Sequence, residues 1–235
     1  MIVYSNSCSY GVLSTGKTYS DFIGDKLNSK VINAGMPGCC NERIFRTSTR
    51  DLLELKENNE KILALISLSS FYRSEIWYDN IPALNNDGHF KSFQINNLNN
   101  DNSHRSKLPT IEAEMYAKNW FLLHNDEAES SNLFYKLNLF TTFLEHKDIQ
   151  YLIWAGPMTL NQVDFGTPFI KPFYKHIANN KNIINFYDFS FSKYCSIIKK
   201  HEPYDSDQFG IYGHHAEQAH EDFAEYLLEA YLNEI

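Results

Sequence analysis

The sequence predicts a single domain of the α/β class, in which the strands of a central parallel sheet alternate with helices. Two observations favour this class. Short, nearly continuous apolar runs recur along the 235 residues, and such runs are typical of parallel strands buried on both faces. Segments with helical spacing lie between them. With 43% hydrophobic residues the chain can bury one large core, and we predict one domain over residues 1–235.

Five predicted strands and four predicted helices carry this pattern. The strands cover residues 1–4, 31–34, 62–68, 151–155 and 183–187, and the helices cover residues 19–27, 44–55, 126–146 and 217–232. Asp126 and Glu129 have the spacing of a capping box at the start of the third helix. Apolar residues recur at helical spacing along the last helix, so we expect it to pack against the sheet.

A polar segment over residues 84–107 interrupts the alternation. It contains seven asparagines and few aliphatic residues, a composition that favours turns over a strand or a helix. We interpret it as an exposed insertion near the functional site.

Composition and charge narrow the function classes. A net charge of -8 disfavours nucleic acid as the main partner, because binding to phosphates needs clustered basic residues. The chain shows neither a signal-peptide pattern nor an apolar run long enough for a membrane helix, so we expect a cytoplasmic protein without a membrane partner. The cysteines, at positions 8, 39, 40 and 195, lack zinc-site spacing and are expected to be reduced thiols. No metal and no cofactor are predicted.

The loop after the first strand fits two interpretations. Residues 11–18 match GxxxxGK[ST], the phosphate-binding P-loop, with Lys17 and Thr18 as the ligands of phosphate and Mg²⁺. However, polar residues 6–10 separate this motif from the strand, and Asp188 is the one candidate for the second Mg²⁺ ligand. A nucleotide-binding protein therefore remains one alternative.

In the second interpretation, Ser7 follows the first strand within the segment 5–11, and Gly38 follows the second strand within the segment 33–41. His214 precedes the last helix. These blocks resemble the SGNH (GDSL-type) hydrolases. The resemblance implies a three-layer, flavodoxin-like fold with a central parallel sheet. It also implies that Ser7 is the nucleophile, that His214 is the base, and that the Gly38 amide helps to form the oxyanion hole.

Two positions depart from the family pattern. The family has an Asp three residues before the catalytic His, where this chain has Ile211. Asp207 is the substitute that we consider first, and Asp205 is the other candidate; a Ser/His dyad or an inactive site are the alternatives. Ser69 stands where the family has the Asn of the third block, and Asn41 or Ser69 is expected to supply the third oxyanion donor.

Residues 41–46 and 69–77 resemble a subgroup that is widespread in phage and marine bacterial sequences. The loops after the carboxyl ends of parallel strands lie along one edge of a sheet, so we expect the Ser7, Gly38 and Ser69 loops to share a crevice. Arg46 and Arg73 fall next to this crevice, where a guanidinium group can hold an anionic part of a substrate. The predicted function is a serine ester hydrolase acting on acyl or acetyl esters of small molecules or carbohydrates. The alternative on the same fold is a catalytically degenerate binding or structural protein.

Overall fold

The fold was taken from a computed structural model of the chain. It describes residues 1–13, 16–77, 90–94, 111–157, 159, 166–168, 170–201 and 215–232. Within these ranges strands and helices alternate from residue 2 to residue 68, as the sequence predicts. Two further strands and then two helices follow before the last strand of the central sheet.

The central sheet is parallel and has the strand order β2-β1-β3-β6. Its strands are β1 (Ile2–Ser7), β2 (Lys30–Asn33), β3 (Ile62–Leu68) and β6 (Gln150–Ala155). Strands β1 and β3 are buried at every position. For β3 this is the environment that its apolar run predicts. Strand β1 extends past its predicted end at residue 4 and includes the polar residues 5–7, because pairing with β2 and β3 continues beyond the apolar run.

The predicted strand at residues 183–187 contributes a single parallel bridge between Ile183 and Ile153. The Asn185 side chain accepts a hydrogen bond from the Tyr187 backbone N–H at 2.9 Å. This turn ends the extended conformation early. We predicted five strands in the sheet. The prediction of a fifth strand at residues 183–187 was therefore wrong, because this segment makes a single bridge.

Helices pack on both faces of the sheet and complete the three predicted layers. On one face the core contains residues of α2 (Asn41–Glu57), α4 (Asp126–His146) and α5 (Lys171–Ala178). On the other face it contains residues of α1 (Tyr19–Lys26) and α7 (Glu217–Tyr231). Short α6 (Phe191–Lys193) continues into a π-helical turn, Tyr194–Ile198, on this second face, and α3 (Ile111–Leu122) precedes α4 in the chain. No helix in the described ranges is long and apolar enough to cross a membrane.

The start of α4 agrees with the predicted position, but its cap is a different residue. The Asn125 side chain accepts a hydrogen bond from the Ala128 backbone N–H at 3.0 Å. The capping role that we assigned to Asp126 was therefore wrong, because the side chain one position earlier already satisfies the exposed N–H of the first turn.

The prediction that residues 84–107 lack a strand was also wrong. Residues Phe90–Gln94 form β5, which pairs in antiparallel register with β4 (Arg73–Trp77). The prediction missed this strand because the asparagines on either side of it dominate the composition of the segment. Its pairing partner, β4, lies outside the segment. The remaining residues of the segment lie outside the described ranges.

Asn6 connects β1 to α2 through a buried hydrogen-bond network. Its side-chain amide donates to Thr47 Oγ1 at 2.8 Å, to Ser48 Oγ at 2.9 Å and to the Ile44 carbonyl at 3.3 Å. Arg43 Nη1 approaches Asn6 Oδ1 at 3.5 Å. The side chain of Asn6 is fully buried, so these contacts replace the hydrogen bonds that it would make with water.

We expect Asn6→Ala to lower the free energy of unfolding by about 2–3 kcal/mol, because it leaves buried hydroxyl and guanidinium groups without their amide partner. Urea denaturation at constant pH measures the change. Asn119→Ala, on the exposed side of α3, is the matched control and should change stability by less than about 0.5 kcal/mol. Equal effects of the two substitutions would contradict the role of the network.

Candidate active site

Ser7 is the last residue of β1, and its hydroxyl lies in a space that two glycines leave open. A Cβ atom at Gly11 would overlap Ser7 Oγ, and one at Gly35 would lie 2.7 Å from it. The side chain of Ser7 is fully buried, and its hydroxyl has no hydrogen-bond partner among the described residues. An unpaired buried hydroxyl costs stability and is retained where it has another role.

The loop after β2, residues 34–40, is attached to the end of β1, and we call it the second loop. The Met36 N–H donates to the Ser7 carbonyl at 2.9 Å, and Cys39 Sγ approaches the same oxygen at 3.3 Å. The first two sequence blocks therefore meet at the carboxyl edge of the sheet, where ligands bind in folds of this kind.

Gly38 lies in a turn of this loop. The Cys39 N–H donates to the Met36 carbonyl at 3.3 Å, and Gly38 has a φ of 77°, as expected after Pro37 in a type II turn. A Cβ at Gly38 would meet no atom within 4 Å, so glycine is required here by the backbone conformation rather than by space. Of the two glycines after β2, Gly35 is the one that lies beside Ser7 Oγ. The sequence interpretation did not single it out, and the signal that could have found it is a glycine two residues after the end of a strand.

Asn41 and Ser69, the two candidates for the third oxyanion donor, bind each other. Asn41 Oδ1 accepts from the Ser69 N–H at 2.7 Å, and Asn41 Nδ2 donates to the Ser69 carbonyl at 3.0 Å. The Ser69 hydroxyl donates to the Cys39 carbonyl at 2.8 Å. The contacts of these two residues therefore join the loop after β3 to the loop after β2, which differs from the predicted role of binding an oxyanion.

Arg46 and Arg73 also make their described contacts within the protein. Arg46 forms two hydrogen bonds to the Glu75 carboxylate, at 3.3 and 2.9 Å, and the Glu75 side chain is only 8% exposed. Arg73 Nη1 donates to Ser69 Oγ at 3.2 Å and to the Cys39 carbonyl at 3.3 Å. Glu75 thus takes the place of the anionic substrate group that we predicted for Arg46. The two sequence patterns at 41–46 and 69–77 are the two halves of this one network.

The cysteines near Ser7 are buried free thiols. Burial raises the pKa of Cys39 to about 12, with a further increase from nearby Cys8, and burial also raises the pKa of Cys40 well above its ordinary value. The thiols of Cys39 and Cys40 therefore stay protonated at neutral pH, so packing accounts for them.

His214, Asp205 and Asp207 lie outside the described residues, but the described chain on the carboxyl side of His214 leads back to Ser7. His215 is buried and approaches Ser196 Oγ at 3.4 Å. Helix α7 then packs on α1, where His220 Nδ1 accepts a hydrogen bond from the Tyr19 N–H at 3.3 Å. Since Tyr19 borders Ser7 Oγ, the two ends of the chain meet on one side of the sheet.

The residues of the P-loop motif are engaged by carboxylates. Lys17 Nζ pairs with Asp25 at 2.7 Å, and the Lys17 N–H donates to Glu217 at 3.0 Å. The Thr18 hydroxyl and N–H both bind the Asp21 side chain, at 2.7 and 2.8 Å, as the N-terminal cap of α1. Carboxylates at this position repel a phosphate group rather than attract it. In the described part of the chain, no group of three or more His, Cys, Asp or Glu residues could hold a metal ion.

We expect Mg²⁺ with ATP or GTP to leave the melting temperature unchanged, because a ligand that binds the native state must raise it. Differential scanning fluorimetry over a nucleotide series measures this. An increase that disappears in Lys17→Met would restore the P-loop interpretation.

A double-mutant cycle tests the network around the second loop. Arg46→Met and Glu75→Gln should each destabilise the protein, and together they should cost about 1–2 kcal/mol less than the sum of the two, since each removes the same interaction. Chemical denaturation of the four proteins gives the coupling energy. Additive effects would show that the two side chains do not depend on each other.

No protein-family model matches the chain, and no curated protein matches it. Among solved structures, an acetyl xylan esterase aligns over 98% of this chain and 100% of its own, with a TM-score of 0.50 and 11% identity. A putative lipolytic protein of the G-D-S-L family from Desulfitobacterium hafniense aligns over 97% and 98%, with a TM-score of 0.46 and 14% identity. A putative GDSL-like lipase from Parabacteroides merdae aligns over 97% and 94%, with a TM-score of 0.43 and 12% identity. The chain has the fold of SGNH/GDSL-type hydrolases.

Proposed function

We propose that this protein is a serine ester hydrolase of the SGNH type, with Ser7 as its nucleophile. The observation that carries the proposal is the position of the Ser7 hydroxyl, which lies at the carboxyl edge of the parallel sheet in the space that Gly11 and Gly35 leave open.

His214 removes the Ser7 proton as Ser7 Oγ attacks the ester carbonyl carbon. Negative charge develops on the carbonyl oxygen, and the backbone N–H groups of Ser7 and Gly38 stabilise it. The alcohol leaves with the proton from His214, and water then releases the acid from Ser7 by the reverse steps. Asp207, or alternatively Asp205, orients His214.

The network beneath the second loop supports this arrangement. The Cys39 carbonyl accepts hydrogen bonds from Ser69 and Arg73, and the Cys39 thiol contacts the Ser7 carbonyl. These contacts hold the residue that follows Gly38. An oxyanion hole works only if its donors are fixed before the reaction, so a rigid loop is what the mechanism needs.

The proposed substrates are short acyl esters, acetyl esters first, of a small molecule or a carbohydrate. The Ser7 hydroxyl is enclosed, which favours a small acyl group over a bulky one. The acetyl xylan esterase among the structural neighbours is named for the same class of bond. The proposed reaction needs no cofactor.

Labelling with a fluorophosphonate probe tests the nucleophile. The unmodified protein should become labelled, and Ser7→Ala should not, because the probe reacts only with an activated serine. Ser9→Ala is the matched control in the same loop and should keep its label. Peptide mass spectrometry locates the modified residue. Labelling that persists in Ser7→Ala would exclude this nucleophile.

Turnover of short aryl esters tests the base. We expect His214→Ala to lower kcat by about 1000-fold or more, as removal of the base does in other serine hydrolases. His215→Ala is the adjacent control and should have a much smaller effect on kcat. A protein that folds but neither labels nor hydrolyses short esters would support the degenerate binding protein instead.

A further inference from the structure

The hydroxyl groups around Ser7 form a buried cluster with Tyr19. Ser7 pairs with Ser67 of β3, and Ser5 lies two residues earlier in β1, so the three serines project from the same face of the sheet. Tyr19 is the first residue of α1, which packs on this face. All four side chains are fully buried.

The Tyr19 hydroxyl lies next to the Ser7 hydroxyl. A Cβ at Gly11 would overlap both oxygen atoms, which places them on the same side of this glycine. The aromatic ring of Tyr19 is held in place by edge contacts with Trp154 and Phe223, at 5.3 and 5.7 Å between ring centroids, and by stacking on His220 at 5.5 Å. The position of its hydroxyl is therefore set by the core.

None of the four hydroxyl groups has a well-aligned hydrogen bond among the described residues, although the three serine hydroxyls lie close enough to Tyr19 to affect its pKa. A buried hydroxyl without a partner costs about 1–3 kcal/mol, so groups that share one enclosed space are expected to bind each other. We propose that the Tyr19 hydroxyl donates a hydrogen bond to Ser7 Oγ and activates it as a nucleophile. This inference rests on the proposed function of Ser7.

The phenol is suited to donate. Burial raises the pKa of Tyr19 to about 12. Tyr19 therefore keeps its proton at neutral pH and acts as a donor rather than as a base. A donor on Ser7 Oγ stabilises the negative charge that forms as His214 removes the serine proton, and it leaves the serine proton free to point to the base. The same donor assists the departure of Ser7 Oγ when the acyl group is released.

The pKa of a thiol at the nucleophile position measures this hydrogen bond without relying on activity. In Ser7→Cys, ultraviolet absorbance over a pH series, measured as the difference from Ser7→Ala, gives the pKa of the introduced thiol. Adding Tyr19→Phe should raise that pKa by about one pH unit, because a donor that favours the thiolate is lost. Tyr194→Phe is the matched control, since its hydroxyl donates to the Asp222 carbonyl in the same aromatic layer, and it should leave the pKa unchanged.

Kinetics test the consequence for Ser7 itself. We expect Tyr19→Phe to lower kcat for a short aryl ester by about 10- to 100-fold and to leave KM within about twofold, because the hydroxyl acts on the nucleophile and not on substrate binding. Tyr194→Phe should change neither constant. If Tyr19→Phe acted only by loosening the packing, its melting temperature would fall and its KM would change along with kcat. That result would count against the inference.

The outcomes separate this inference from the proposed function. If the introduced thiol has the same pKa in Ser7→Cys and in the double variant with Tyr19→Phe, the inference is overturned. A raised thiol pKa in a chain that neither labels nor hydrolyses esters would refute the proposed function and still support the contact. If Tyr19→Phe fails to fold, 3-fluorotyrosine at position 19 keeps the ring and makes the phenol a stronger acid. It should lower the thiol pKa, and an unchanged value would count against the donor.

Discussion

Strand β1 is buried on both faces although three consecutive residues, Ser5, Asn6 and Ser7, are polar. Each of these side chains needs a partner or costs stability, and the strand resolves this differently on its two faces. On one face the Asn6 amide binds three groups of α2. Because α2 begins directly after the second loop, this buried amide fixes both the helix and the loop relative to the sheet.

The second loop connects α2 to the candidate site, so the contacts that fix α2 also fix the position of this site. Its carbonyl at Cys39 receives hydrogen bonds from Ser69 and Arg73, and the Asn41 side chain pairs with the backbone of Ser69. The ion pair between Arg46 and Glu75 then joins α2 to β4. Polar residues that we predicted to bind an oxyanion or a substrate group thus form a support for the loops, which is the kind of preorganisation that a catalytic site requires.

On the other face of β1, the Ser7 side chain needs space between the loops that cover it. Gly11 and Gly35 leave room for the Ser7 hydroxyl, and a methyl group at either position would collide with it. Tyr19 closes this space from α1. Ser7 is therefore surrounded by backbone and by hydroxyl groups, an environment that encloses its side chain and holds it in one orientation.

The sequence by itself determined the four strands of the central sheet and four of the described helices, but it ended β1 at residue 4, whereas Ser7 is the last residue of that strand. Residues 62–68 and 126–146 have the predicted bounds, because apolar runs and helical spacing depend on neighbours along the chain. The strand expected at 183–187 shortened to one bridge because a local Asn185 turn competed with extension.

The tertiary structure decided which polar groups meet. Asn41 and Ser69 are 28 residues apart, and Tyr19 and His220 are 201 residues apart, so no local period relates them. Packing across the sheet directed Arg46 to Glu75 and brought Gly35 against the Ser7 hydroxyl, where the sequence pointed to Gly38. Contacts of this kind depend on how the helices pack on the sheet. The spacing of apolar residues within one helix or strand does not indicate which other element will pack against it.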